Sequence, residues 1–149
     1  MVLPEITPPV VPLLQSQPFI VVSFVDVERK SNYRAWTTIL HGNRGFFRVS
    51  DRKTIVIREA HCGEGETRTL SRILHEANTN DKIVPMAVMV IDFQSRRRFR
   101  VNGYADRIAL NDASGFLSIN FDFHVAEAFV NCPKVNKIYI LDSFFLFFL

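Results

Sequence analysis

The stretch Ser95-Arg96-Arg97-Arg98-Phe99-Arg100-Val101-Asn102-Gly103 follows the apolar run Met86-Ala87-Val88-Met89-Val90-Ile91-Asp92, and its reading decides the fold. In a strand, successive side chains alternate between faces, so Phe99 and Val101 point one way and Arg96, Arg98 and Arg100 the other. One face is then apolar and the other is ready for an anion. Arginines this close repel one another, so the strand is either a solvated edge or the wall of an anion site. Just upstream, Val84 to Asp92 is almost continuously apolar, as expected of a strand buried on both faces.

The same period of two recurs on either side. After a turn at Asn111-Asp112-Ala113-Ser114-Gly115, Leu117, Ile119, Phe121, Phe123 and Val125 oppose Ser118, Asn120, Asp122 and His124. Toward the N-terminus, Phe19 to Val25 is β-branched and aromatic and runs into a polar turn from Asp26 to Asn32. Trp36, Thr38 and Leu40 then alternate with Ala35, Thr37, Ile39 and His41 before the turn Gly42-Asn43-Arg44-Gly45. Phe46 to Val49 and Thr54 to Arg58 read as two short strands around Ser50-Asp51-Arg52-Lys53.

Only Leu70, Ile73, Leu74 and Ala77 recur at helical spacing. That helix is expected to start near Thr67, behind Gly63 and Gly65, with Arg68, Arg72 and His75 away from its apolar stripe. The unbonded N–H groups of its first turn can hold a phosphate, although an ordinary amphipathic helix with solvated arginines has the same pattern. Six or seven strands with one helix make a small β-barrel.

A chain of 149 residues fits one domain and buries a core without disulfides or a structural metal. Apolar residues make up 48% and charged residues 22%, as in folded domains, while 14 Phe tilt the balance toward strands. A net charge of +3 is too small to mark a nucleic-acid binder without a focused patch. Cys62 and Cys132 have no C-x-x-C spacing, so no metal site is expected, and two reduced thiols in a cytoplasmic protein are. Residues 1–18, with Pro4, Pro8, Pro9, Pro12 and Pro18, read as an extended proline-rich arm lacking the charged start of a signal peptide. Residues 19–137 form the domain and 138–149 an apolar tail. No run is long enough to span a bilayer, so no membrane partner is expected. Exposed, the run Phe144 to Leu149 is an aggregation hazard, so the tail is either buried in an interface or the product of a truncated or misread gene.

Three stretches in order resemble the FMN-binding split-barrel family that includes pyridoxamine 5′-phosphate oxidase, and its oxidase-related branch in particular. They are Trp36-Thr37-Thr38-Ile39-Leu40-His41-Gly42 with Gly45-Phe46, then Ser95 to Gly103, then Val125 to Lys134 with its F-x-N-C-P pattern at Phe129-Val130-Asn131-Cys132-Pro133. Together they cover residues 13–137. The resemblance implies a mainly β, six- to seven-stranded split barrel with one or two short helices, complete only as a homodimer. It also implies FMN in the cleft between the two barrels. By position, Trp36, Thr37, Thr38, Ile39 and His41 would lie on the flavin-contacting strand and Ile57 and Arg58 on a second one. Thr67 and Arg68 would take the phosphate, and Arg98 the flavin edge. Trp36 and His41 stand where the oxidase proper has an arginine and a lysine, and no C-terminal substrate segment follows Pro133, so vitamin B6 oxidation is not expected.

The leading expectation is an FMN-dependent oxidoreductase acting on a small-molecule substrate or electron donor, with no catalytic side chain assignable. His41, His61, His75 and His124 stand alone in the sequence, without an acid or nucleophile at a catalytic spacing. The alternative is a non-catalytic split-barrel binding module that has lost flavin. Nucleic-acid binding through Arg96, Arg98 and Arg100 is not expected, because alternation puts Phe99 on the opposite face and leaves no stacking platform.

Overall fold

The computed structural model describes residues 2–26, 34–79, 83–113 and 116–131, with the backbone alone at 64–68, 78, 112–113, 116–117 and 130–131. The expected turn after Asp26, the Cys132-Pro133 end of the third motif and the apolar tail lie outside the described residues. Seven strands form one antiparallel sheet: β2 (Phe19–Asp26), β3 (Arg34–His41), β4 (Phe47–Asp51), β5 (Thr54–Ala60), β6 (Val84–Asp92), β7 (Arg97–Ala113) and β8 (Phe116–Asn131). Their spatial order is β3-β2-β6-β7-β8-β5-β4, and the two-residue β1 (Val2–Leu3) adds to β8.

The ring closes at one point. His41 N–H donates to His61 O at 2.9 Å and His61 N–H to His41 O at 2.8 Å, joining the end of β3 to the residue that follows β5. Six strands therefore wrap around a core, with β4 as a flap on β5. The phenylalanines fill that core: Phe47, Phe99, Phe121 and Phe123 are fully buried beside Ile20, Leu40, Ile55 and Ile57. Helix α2 (Glu64–Thr79) lays Leu70, Ile73, Leu74 and Ala77 against β7 and β6. Arg72 pins it to the end of β2 through Asp26 at 2.6 Å.

Phe99 and Val101 face the core, as the alternation predicts. Other expectations are corrected. Arg96 is not on the strand: it sits in the β6–β7 turn with φ 56°, so only Arg98 and Arg100 share the outer face. Strand β6 is not buried on both faces, because Val84, Met86, Val88 and Val90 face the core while Pro85 is exposed and Ala87 and Met89 are half-buried. Residues 1–18 are not simply extended: a 3-10 turn at Pro8–Val10 leads into the short helix α1 (Val11–Gln15). Pro8 and Pro12 lie at helix starts, where a missing N–H costs nothing, and Ile6 and Leu14 are buried. Helix α2 begins at Glu64 rather than near Thr67.

Candidate functional site

Strand β3 owes its place to Trp36, Thr38 and Leu40, which turn inward opposite Phe24, Val22 and Ile20 of β2. Thr37, Ile39 and His41 therefore face outward, with Thr37 Oγ1 3.0 Å from Ser23 Oγ and Ile39 51% exposed. The backbone adds a second asymmetry. His41 spends both its N–H and C=O on His61, away from β2. In an antiparallel ladder, residues two apart point their peptide groups the same way, so those of Ile39 and Thr37 also point away from β2. Among the described residues β3 has no other strand neighbour, and this edge is open.

The bridge also fixes where the next element starts. Beyond His61 the chain does not continue the ladder but enters α2 at Glu64, three residues on. The first turn of α2, with Thr67 and Arg68, thus begins within a few residues of the bridge. The side chains of Thr67 and Arg68 lie outside the described residues. The indole of Trp36 is half-buried against the core, and its Nε1 is buried without a hydrogen-bond partner among the described residues. A buried donor left unmatched costs about 1–3 kcal/mol, so this one stands out.

The remaining candidates are placed differently. Ile57 is wholly inside the core. Arg58 is half-exposed, but its guanidinium donates to Asp122 Oδ1 at 2.6 Å and to the carbonyls of Ile57 and Phe121 at 2.8 and 2.9 Å. Arg98 is half-buried on the outer face of β7, opposite Ile91 and Asn131. Two strands, β2 and β6, separate it from β3, roughly 14 Å along the sheet at about 4.8 Å per step.

No protein-family model matches the chain, and no curated protein matches it in sequence. Solved structures do. A Lactobacillus delbrueckii protein classed provisionally as a pyridoxamine 5′-phosphate oxidase superposes with a TM-score of 0.53 at 14% identity, over 85% of this chain and 95% of its own. HupZ of Group A Streptococcus superposes with a TM-score of 0.53 at 18% identity, over 89% and 98% of the two chains. A histidine variant of HupZ gives 0.52 at 17%, over 85% and 99%. The chain is a split barrel.

This split barrel carries a polar network that the sequence reading missed. Asp122 is 5% exposed on β8 and accepts from Arg58 and, at 3.3 Å, from Arg107 on the opposite neighbour strand. Both flanking strands slip register there, β5 between Ile57 and Ala60 and β7 between Asp106 and Ala109. Glu59 and Arg107 adopt φ 51° and 47°, a left-handed conformation that costs side-chain-bearing residues about 1 kcal/mol or more. Asn120 accepts from Glu59 N–H at 2.9 Å, so two neighbouring residues of β8, Asn120 and Asp122, hold both irregularities. The only signal was that polar alternation had placed Asp122 on the outer face, where it is nevertheless buried. Next to it, His124 Nε2 lies 2.9 Å from Asp106 Oδ1 and its ring stacks on Tyr104 at 5.0 Å. Among the described residues no group of three or more His, Cys, Asp or Glu is placed to hold a metal.

Proposed function

We propose that this split barrel binds FMN on the open edge of β3 and serves as a flavin-dependent oxidoreductase for a small molecule in the cytoplasm. The carrying observation is the His41–His61 bridge, which leaves Ile39 and Thr37 on an edge without a strand partner among the described residues and is followed three residues on by the start of α2. A flavin has a polar ring edge of alternating donors and acceptors and a dianionic phosphate, and these two features match it in kind. When bound, FMN supplies hydride or single-electron transfer.

The chain's own residues would do the holding. Backbone N–H and C=O groups of Thr37 and Ile39 orient the ring edge, and the exposed Ile39 side chain offers it apolar surface. The N–H groups at the start of α2, with Thr67 and Arg68, take the phosphate. Arg58 is already held by Asp122, so the phosphate falls to Arg68. Arg98 is too far along the sheet to reach a ring on β3 of its own chain. It therefore enters the site from a second copy, which makes the homodimer part of the proposal.

The second reading, a binding module without flavin, draws on the engaged Arg58 and on Trp36 and His41 standing where the oxidase proper has cations. Purified protein separates the two. Flavin absorbance, or thermal stabilisation by added FMN that Arg68→Ala weakens about tenfold in affinity, supports the first reading. Absence of both supports the module.

A further inference from the structure

We propose that the β6–β7 end of the barrel docks on an anionic lipid surface. The connecting loop, Phe93 to Arg96, is built rather than frayed. Asp92 Oδ1 accepts from Gln94 N–H at 3.0 Å and Ser95 N–H at 3.3 Å, its Oδ2 takes the Ser95 hydroxyl, and Arg96 closes the turn in the left-handed conformation. This ordered loop holds Phe93 outward at 63% exposure, the most exposed large apolar side chain among the described residues. Its aromatic neighbour is Phe19, with ring centroids 6.4 Å apart.

Charge follows that ring along the chain. From Asp92 to Arg100 the hairpin carries Arg96, Arg97, Arg98 and Arg100 against Asp92 alone, which is four minus one, or as much net charge as the whole chain. Arg96, Arg97 and Arg100 are exposed. Arg100 stacks its guanidinium 4.2 Å from the centre of the Phe129 ring on the neighbouring strand. An aromatic tip followed by several arginines suits a bilayer interface, where the aromatic side chain enters the acyl boundary and the charges stay among headgroup phosphates. Nucleic acid would favour an aromatic level with the guanidiniums as a stacking platform.

Stable attachment to a membrane surface needs two signals, and a basic patch together with apolar groups supplies them. No spanning helix is required, and no described helix is long and apolar enough to cross a membrane.

The full-length chain is to be sedimented with phosphatidylcholine vesicles, with and without phosphatidylserine. It is expected to partition onto the anionic vesicles alone and to be released by salt. Arg96→Gln and Arg97→Gln are each expected to lower the partition coefficient about fivefold, and Phe93→Ser to lower it by a similar factor. Melting curves establish that the variants are folded, and none of the three residues belongs to the flavin site. Failure to partition, equal binding to neutral vesicles, partition unchanged in the variants, or tight oligonucleotide binding that Phe93→Ser leaves intact would each overturn the proposal.

Discussion

Gly103 shows how little room the β7–β8 pairing leaves. A Cβ built there falls 1.8 Å from the carbonyl oxygen of His124, which is backbone and cannot step aside. Gly103→Ala is expected to cost at least about 2–3 kcal/mol by forcing the strands apart at their bulge, seen as a drop in melting temperature of roughly 5 °C or more. An unchanged melting temperature would mean the strands sit farther apart than described. Asp122 anchors two irregularities at once. Because Arg58 and Arg107 are partly exposed, Asp122→Ala is expected to cost only about 1–2 kcal/mol in urea unfolding. Asp92 is sensitive to pH. Hydrogen bonds from Ser95, first from its side chain and then from its backbone, with a further one from Gln94, hold its carboxyl below the ordinary carboxylate range. A depressed carboxylate stabilises the fold above its unfolded pKa, and this contribution is lost as pH falls through the lowered value. Amide exchange at Gln94 and Ser95 should therefore stay slow relative to the intrinsic rate above about pH 4 and lose protection in stronger acid. Protection that does not change with pH would contradict these hydrogen bonds.

The elements divide sharply in how readable they were. Strand β8 was plain because Ile119, Phe121, Phe123 and Val125 are spaced at the strand period and bury accordingly. The inward and outward sets of β3 were legible for the same reason. Closure of the barrel was not, because the His41–His61 bridge joins residues twenty apart through backbone groups that every residue carries. The open edge of β3, on which the flavin reading rests, inherits that invisibility. The bulges at Glu59 and Arg107 were hidden too, since a left-handed residue without glycine leaves no local sign and is held by Asn120 and Asp122 from another strand. Proline misled in residues 1–18, where Pro8 and Pro12 start helical turns instead of keeping the chain extended. For α2, the apolar stripe gave the packed face but not the start. The Arg72 contact to Asp26 ties the helix to β2, so Arg72→Ala should speed amide exchange along α2 by roughly fivefold, for about 1 kcal/mol of local stability. Exchange at the wild-type rate would show that apolar packing alone holds the helix.

For the whole molecule, the arginine strand that set the reading now serves two ends. Phe99 and Val101 belong to the core, Arg98 to the outer face, Arg96 to an exposed turn and Arg97 to the exposed first position of β7. The flavin proposal requires two copies, so the chain should elute and scatter as a dimer, with Arg98→Ala weakening FMN binding without altering that size. The most direct measurement is an FMN fluorescence titration of the wild type against Ile39→Pro. Proline at 39 removes only an N–H that points away from β2, so the ladder survives, as circular dichroism and melting should show. The account predicts saturable quenching by wild-type protein and FMN affinity at least about tenfold weaker in Ile39→Pro. No quenching by the folded wild type, or equal affinity in the two proteins, would contradict it.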